Sequence, residues 1–299
     1  MTSATAIRRV ESDADLEAWR RVRIAVVPNE RAPSVEELRR TATPERLLVL
    51  AELDGRLAGS GIATHSDMAG LGSLAPRVLP EARRRGVGTA LLEALADHLA
   101  GLGFEASNAI VEDVPSLAFA QRFGFREVDR QVEQVRAIRR EEQPGAPDGI
   151  DFVTLAERPD LSRPLYTELG VQALADIPVD TPLAVSRGDW NREWMSYPEG
   201  TFIALDEGRV VGCAGLVPDP DRPNRAEHSL TAVHREWRGR GLATALKQAL
   251  IAWAAANGIC ELYTWTQRGN EGMQRVNERL GYVVRSWCVT VRGPVPLRP

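Results

Sequence analysis

The loop Arg238–Gly241 carries the residue types and spacing in this chain that best suit chemistry. It follows the apolar run Leu230–Val233, and from Leu242 onward apolar residues recur at helical spacing. Its glycines let the backbone approach a ligand closely, and the unpaired N–H groups at a helix start favour an anion. Its arginines can donate charge-assisted hydrogen bonds to phosphate oxygens. The stretch therefore predicts a phosphate-binding site between a strand and a helix.

A second stretch, Val78–Gly88, repeats the pattern. Arg83 and Gly86 have the spacing of Arg238 and Gly241, so both copies read Val-x-x-x-x-Arg-x-x-Gly-x-(Gly/Ala). Neither copy matches Gly-x-x-x-x-Gly-Lys-Ser/Thr, and no Gly-x-Gly-x-x-Gly opens a βαβ unit. The chain thus predicts two related anion-binding loops; the alternative for the arginine run of the first copy is a solvated cluster of charges.

Both copies resemble the acyl-CoA diphosphate loop of the GNAT superfamily (Gcn5-related N-acetyltransferases), which reads Arg/Gln-x-x-Gly-x-Gly/Ala after a strand. The resemblance implies acetyl-CoA as co-substrate, no metal, and acetyl transfer to the amine of a small molecule. In the C-terminal copy the implied cofactor-binding residues are Thr231, Ala232, Val233, Arg238, Gly239, Arg240, Gly241, Leu242, Ala243, Thr244, Asn270 and Asn277. In the N-terminal copy they are Val78, Arg83, Arg84, Arg85, Gly86, Val87 and Gly88.

The spacing of a second landmark supports an internal repeat. Arg83 and Arg238 are 155 positions apart, and Gly124 and Gly281, each after a short helical pattern, are 157 apart. Hairpin turns are expected at Asp54-Gly55 and at Glu207-Gly208. The predicted fold class is α/β (α+β): two tandem GNAT folds, each a mixed, mostly antiparallel twisted sheet flanked by helices.

The predicted domains are 1–140, a linker at 141–149 and 150–299. The linker is placed where the sequence is charged and then rich in proline and glycine. The N-terminal domain is expected to be non-catalytic and the C-terminal domain catalytic, for the following reasons.

Glu227 is the candidate general base. It lies six residues before Val233 in a strand-like run, a separation at which some GNAT branches carry a base that acts through water. Strand alternation would place Glu227, Ser229, Thr231 and Val233 on one face. The alternative is a solvated charge at a strand end. Gly72, taken as its counterpart in the first copy, cannot move a proton.

The family's second motif, Asn-x-x-Ala-x-x-x-Tyr-x-x-x-Gly-Phe, is altered in both copies. The C-terminal copy retains Asn270 but has Asn277 in place of the tyrosine that often acts as general acid. An amide is no acid near neutral pH, so water or Tyr263 would have to serve. The N-terminal copy has Ala120 at that position. Tyr282 and Phe125 are expected to be core aromatics, and His228 a structural residue.

The segment from Asp176 to Trp194 is expected to select the acceptor, because loops on a rigid scaffold commonly carry specificity. Asp176, Asp180, Asp189 and Glu193 would suit a cationic amine, and Trp190 or Trp194 could stack on it. The alternative is that the tryptophans belong to the core and the acids are solvated.

Composition narrows the partners and the compartment. Net charge is −4 over 299 residues, which disfavours a nucleic acid partner. Three well-separated cysteines and the lack of a signal peptide or of a membrane-length apolar run favour a cytoplasmic protein without a membrane partner. The expected assembly is a monomer or a homodimer, between which the sequence does not decide. Two alternatives stay open: a CoA-binding sensor or scaffold without turnover, and a mycothiol-synthase-type enzyme. Protein-lysine acetylation is disfavoured, since no peptide groove can be inferred.

Overall fold

The computed structural model describes residues 5–139, 141 and 145–297. The predicted linker therefore lies partly outside the described residues. Contacts divide the chain into two compact units, one reaching Arg130 and including the strand residues from Cys288 onward, the other spanning Gln131–Trp287.

The first part of the chain alternates strands and helices as expected. Its strands are β1 (Thr5–Arg9), β2 (Leu47–Leu53), β3 (Arg56–His65), β4 (Gly72–Val78), β5 (Ala106–Val111) and β6 (Arg126–Ala137). Its helices are α1 (Asp13–Val26), α2 (Val35–Arg40), α3 (Val87–Gly101) and α4 (Val114–Arg122). Capping boxes at Ser12 and Ser34 start α1 and α2, since each serine accepts a backbone N–H three residues on.

The second part repeats this order. Its strands are β7 (Ile150–Thr154), β8 (Thr201–Asp206), β9 (Arg209–Pro218), β10 (Arg225–Val233), β11 (Glu261–Gln267) and β12 (Val283–Pro294). Its helices are α5 (Ser162–Pro164), α6 (Val171–Ala175), α7 (Arg187–Asp189), α8 (Leu242–Ala256) and α9 (Glu271–Arg279). Leu165–Gly170, between α5 and α6, and Trp190–Trp194, after α7, have π-helical geometry.

Each unit holds one mixed sheet. The strand order is β1-β2-β3-β4-β5-β12 in the first unit and β6-β11-β10-β9-β8-β7 in the second. All described neighbours within a unit are antiparallel except β4 with β5 and β10 with β11. The predicted fold class is confirmed. Both expected hairpins are present, and Asp54 and Glu207 take left-handed φ values of 52° and 48° at their turns.

The last strand of each half pairs in the other unit. Gln131–Ala137 of β6 pairs with β11, whereas Val289–Pro294 of β12 pairs with β5. The compact units therefore differ from the predicted 1–140 and 150–299 division by two exchanged strands. Sequence periodicity cannot reveal this exchange, because it specifies that a strand forms and not which neighbour it pairs with.

Helices cover both faces of the second sheet. On one face α8 buries Leu246 and Leu250 against Ala226, Leu262 and Tyr282. On the other face Leu165, Leu169 and Trp190 of the α5–α7 region pack on Cys213 and Ala232. These two faces are called the α8 face and the α6 face below. Tyr282 and Phe125 are each 2% exposed, which confirms both as core aromatics.

Candidate active site

A β-bulge in β10 sets the geometry of the C-terminal site. His228 lies opposite Leu216 and Thr231 opposite Ala214, so two residues of β10 oppose only Gly215. The alternation predicted from Glu227 to Val233 is therefore wrong. Ala226, which neighbours Glu227, and Val233 both pack on the α8 face, so Glu227 and Val233 point to opposite sides. The bulge changes the face because it adds one residue to the strand.

Next to the bulge, β10 separates from β11. The two strands pair in parallel only from Arg225–Glu261 to Glu227–Tyr263, although both strands are described in full. β11 instead continues alongside β6 over its whole length. The backbone edge of β10 beyond Glu227 is therefore not paired with β11, and the region where the two strands separate is called the splay below.

The glycine loop lies beyond the far end of β10 and opens directly into α8. Gly239 and Gly241 have φ values of 76° and 78°, and a Cβ added at either would meet no atom within 4 Å. Gly241 is the N-cap of α8 and provides no side-chain cap. The N–H groups of the first turn of α8 have no carbonyl partner within the helix, because no helical turn precedes them. The loop thus leads into backbone donors at the positive end of a 15-residue helix.

The two loop arginines have different roles. Arg238 donates from Nε to the Val233 carbonyl at 3.0 Å and from Nη2 to the Asp176 carboxylate, so its fork is largely occupied within the protein. Arg240 is exposed and makes no hydrogen bond or ion pair within the described part of the chain. Both arginines are expected from the sequence to contact phosphate. In the structure Arg240 is available to bind an anion, whereas Arg238 mainly stabilises the loop through its contacts with Val233 and Asp176.

Glu227 has a specific partner at the base of the splay. The Tyr263 hydroxyl donates to Glu227 Oε2 at 2.9 Å. The two residues are paired across the parallel strands, and Tyr263 is fully buried while Glu227 is part-exposed. A carboxylate held by a phenol beside an opening can accept a proton from a ligand in that opening.

A buried charge network supports this pair from below. The Arg225 guanidinium lies 3.9 Å from the centroid of the Tyr263 ring, and Arg225 Nε lies 2.9 Å from Glu261. Arg225 also approaches Glu133 at 3.7 Å, and Arg285 pairs with Glu133 as well. Glu133 is fully buried on the exchanged strand β6. Sequence reasoning missed Arg225 and Glu133 because only the strand exchange brings them together.

Several buried polar atoms of β10, β11 and α9 lack hydrogen-bond partners. Thr231 Oγ1, Thr266 Oγ1 and Asn277 Oδ1 are buried without a hydrogen bond among the described residues. Asn277 donates from Nδ2 to Gln134 Oε1 at 2.9 Å, and Asn270 caps α9 by accepting from the Met273 N–H at 3.4 Å. An unsatisfied buried polar atom costs about 1–3 kcal/mol, so these atoms suit a polar ligand chain in the splay.

A second titratable cluster lies on the α8 face. His228 Nε2 is 2.6 Å from the Tyr282 hydroxyl, and the Lys247 ammonium lies 5.4 Å from the centroid of the Tyr282 ring. Burial lowers the pKa of Lys247 to about 7 and, together with the Lys247 charge, lowers the pKa of His228 well below its usual value. Burial raises the pKa of Tyr282. His228 faces away from Glu227, which agrees with a structural role.

Some residues of the segment from Asp176 to Trp194 are placed so that they cannot contact an acceptor as expected. Trp190 is fully buried against Gly170, so the prediction that it stacks on a ligand is wrong; Trp194 stacks on Trp190 at 6.0 Å and stays part-exposed. Asp176 pairs with Arg235 and Arg238, which holds its pKa below the usual range and leaves it poorly placed for a cationic amine.

The N-terminal loop has a related backbone but a different environment. Arg84 occupies the place of Gly239 and takes a left-handed φ of 62°, which costs an arginine roughly 1–2 kcal/mol. Arg83 donates from Nε to the Val78 carbonyl at 3.3 Å, as Arg238 does to Val233. Arg85, the counterpart of Arg240, pairs with Asp54 at 2.9 Å. Its cation is thus already neutralised by the β2–β3 turn.

The N-terminal strand β4 has no bulge. Its pairing with β3 runs without a register shift from Gly59–Val78 to His65–Gly72. Because β4 lacks the extra residue that the bulge adds to β10, the position in β4 that corresponds to Glu227 is Ser73 and not Gly72. Ser73 pairs with Asn108, as Glu227 pairs with Tyr263. The N-terminal position still holds no carboxylate.

No set of three or more His, Cys, Asp or Glu side chains that could hold a metal occurs in the described residues. Across the same residues, no helix has the length and hydrophobicity needed to cross a membrane.

Comparison with known proteins identifies the family. The sequence model of the acetyltransferase (GNAT) family matches twice, at residues 13–125 and 171–282. The chain is 28% identical over 252 residues to the mycothiol acetyltransferase of Nocardia farcinica, with 78% of each chain covered. It is 34% identical over 88 residues to N-alpha-acetyltransferase 30 of Schizosaccharomyces pombe; this covers 29% of the chain and spans 59% of that relative.

Solved structures agree on the fold. A tandem GNAT protein from the clavulanic acid biosynthesis pathway superposes with a TM-score of 0.78 at 19% identity, covering 99% of this chain and all of that one. A GCN5-related N-acetyltransferase from Sphaerobacter thermophilus gives a TM-score of 0.74 at 20% identity, covering 99% and 96%. The chain belongs to the acetyltransferase (GNAT) family, and it is an acyl-CoA-dependent N-acyltransferase with two GNAT units in tandem.

Proposed function

We propose that the C-terminal unit transfers an acetyl group from acetyl-CoA to the primary amine of a small molecule. The observation that carries this proposal is the Glu227–Tyr263 pair, which lies where β10 and β11 separate. A proton acceptor is needed at that point, because an ammonium group has no free electron pair with which to attack a carbonyl.

The residues around the splay fit a CoA-type donor. The open loop at Gly239 and Gly241, with the start of α8, offers N–H donors to a diphosphate, and Arg240 adds a free cation. The unpaired polar atoms of Thr266 and Asn277 suit the amide-bearing arm of the same molecule. When bound, acetyl-CoA supplies an activated thioester carbonyl.

Glu227 acts as the general base and Tyr263 holds it. The hydroxyl of Tyr263 fixes the orientation of the Glu227 carboxylate, and this carboxylate accepts the amine proton directly or through one water. Arg225, stacked on the Tyr263 ring and anchored by Glu133, keeps the phenol in place. Water, or Tyr263 itself, returns a proton to the leaving thiolate, since Asn277 is an amide.

The N-terminal unit is proposed to be non-catalytic. Ser73 and Asn108 stand where Glu227 and Tyr263 stand, and neither can act as a base near neutral pH. Arg85 is paired with Asp54, so its loop offers an incoming diphosphate less free positive charge than Arg240 does. Its role would be structural.

A second, more specific candidate function concerns the chemical class of the acceptor amine. The mycothiol acetyltransferase of Nocardia farcinica matches this chain over 78% of each sequence. This relationship favours a mycothiol-synthase-type acceptor, the amine of a cysteinyl amino-sugar, over an unrelated amine. The part-exposed Trp194 beside the α6 region is available to contact such an acceptor.

The test is acetyl-CoA-dependent acetylation of a panel of small primary amines that includes a cysteinyl amino-sugar, with products detected by mass spectrometry. We expect at least one amine to gain an acetyl group at a rate proportional to enzyme concentration. If CoA binds in calorimetry but no amine is acetylated, the proposal fails and a CoA sensor or scaffold is favoured.

A further inference from the structure

A short segment after α6 is anchored to the glycine loop. Asp176 receives hydrogen bonds from both Arg235 and Arg238, and the Arg235 N–H donates to Gln172 Oε1 at 2.9 Å. Asp176 is the C-cap residue of α6, where the helix dipole disfavours an anion. The positive charges of Arg235 and Arg238 offset the unfavourable interaction of the Asp176 carboxylate with the helix dipole. These contacts therefore fix the end of α6 to the segment that follows β10.

The same segment reaches the opposite side of the splay two residues later. A Cβ placed on Gly269 would lie 3.2 Å from the Cβ of Pro178, so Pro178 packs directly on the backbone of Gly269. Gly269 follows the end of β11, whereas Arg235 and Arg238 follow the end of β10. Residues 176–178, called the strap below, therefore join the loops at the diverging ends of the two strands.

We propose that the strap closes the mouth of the splay over the bound CoA donor and that Asp176 is the positioning residue that holds it there. This inference rests on the proposed donor site. Donor contact with the glycine loop fixes Arg235 and Arg238, and these in turn fix Asp176 and the strap. Donor binding and closure of the mouth would then be one event.

Replacing Asp176 has opposite expected effects on CoA release, depending on whether Asp176 acts only through its charge or also anchors the strap. The arginines hold the pKa of Asp176 below its usual range, so it is a carboxylate at neutral pH. Removing that negative charge near a diphosphate site should by itself tighten CoA binding and slow its release. If Asp176 anchors the strap, its replacement should have the opposite effect and make the release of CoA faster.

The experiment measures CoA dissociation and amide hydrogen exchange in the wild type and in Asp176→Asn. We expect CoA to leave Asp176→Asn at least fivefold faster. In the wild type, CoA should slow exchange both at 239–244 and at 177–186. In the variant, protection should persist at 239–244 and be lost at 177–186. The control is Asp160→Asn, which removes an exposed aspartate paired with Arg158 in the same unit.

Arg235→Gln is a second variant that removes one arm of the anchor and leaves Arg238 intact. It should also accelerate CoA release. Unchanged or slower release in both variants, or retained protection of 177–186, would overturn the role of the strap while the donor site stands. If CoA protects neither segment in the wild type, the donor site itself fails, and this inference fails with it.

Discussion

At the scale of single residues, the proposed proton transfer depends on how the Glu227 carboxylate is held. The Tyr263 hydroxyl donates a hydrogen bond to Glu227, and the Arg225 guanidinium lies over the Tyr263 ring in a cation–π contact. A hydrogen bond to a charged group is worth about 1.5–3 kcal/mol, and each 1.4 kcal/mol corresponds to a factor of ten in rate. Orientation of the carboxylate is therefore a measurable part of catalysis.

Replacing Tyr263 by Phe should lower kcat by about tenfold or more without unfolding the protein, because the change removes only the hydroxyl. The measurement is steady-state acetylation of the best amine, with thermal unfolding as the check on folding. Tyr166→Phe is the control, since its hydroxyl bonds the Val185 carbonyl away from Glu227. A variant as active as the wild type would remove Tyr263 from the site.

At the level of residues, the sequence allows a prediction where spacing along the chain is sufficient and allows none where contacts are non-local. Glu227 could be proposed from its distance to the glycine loop, and Tyr263 from its place in the next strand. Arg225 and Glu133 could not, since they meet through an exchanged strand. Residue types at 176–194 suggest an acceptor site as readily as a core, because residue type alone does not show that Trp190 is buried or that Asp176 is ion-paired.

At the scale of elements, the two glycine loops differ in how much free charge they offer. Arg240 should contribute one charge-assisted contact to a diphosphate, so Arg240→Gln should raise the Kd for CoA by roughly 5–20-fold. Arg85→Gln is the matched control, because Arg85 is already paired with Asp54. Calorimetry with CoA measures both. Equal losses in the two variants would contradict the assignment of the donor site to the C-terminal loop.

Helix α8 carries a buried cation that should make stability depend on pH. Burial lowers the pKa of Lys247 to about 7, whereas an unfolded lysine titrates near 10.4. The unfolded state then binds more protons between these values, so the contribution of Lys247 to stability rises with pH across that range. Below pH 7 the full cost applies, with an upper bound of roughly 5 kcal/mol.

Lys247→Met should therefore raise the free energy of unfolding most at or below pH 7 and least above pH 10. Urea unfolding at several pH values measures this. The exposed Arg275 of α9 provides the control variant Arg275→Met, for which we expect no such pH dependence. A gain for Lys247→Met that is the same at every pH would show that the lysine is not buried as a charge.

The bulge in β10 is the element-level feature that sequence could not supply. A β-strand pattern predicts strict alternation, and one added residue reverses the face of everything after it. The hairpins at Asp54-Gly55 and Glu207-Gly208, by contrast, follow from turn chemistry and were predicted correctly.

At the scale of the whole molecule, the repeat was predictable and the exchange of strands was not. The two copies of the loop and the second landmark required two related units. Residues 131–137 nevertheless complete the sheet that carries Glu227. The sheet of the unit in which we propose catalysis therefore includes a strand that precedes the predicted linker.

A fragment of residues 150–299 should consequently fold poorly, because it lacks β6, which pairs with β11 from Glu261 to Gln267. The same deletion removes Glu133, a buried carboxylate that lies near Arg225 and pairs with Arg285. A fragment of residues 131–287, which matches the compact unit, is the comparison. Circular dichroism and thermal unfolding measure both. Equal stability of the two fragments would contradict the importance of the exchange.

The central claim, that Glu227 removes the amine proton, is tested most directly by the pH-dependent acetylation rate of Glu227→Gln. We expect kcat to fall about 100-fold or more near neutral pH and to recover partly at higher pH, where the amine loses its proton unaided, while the Kd for CoA stays within about twofold. Glu278→Gln, an exposed glutamate of α9, is the control. A Glu227→Gln enzyme that acetylates amines at the wild-type rate throughout this range would contradict the account.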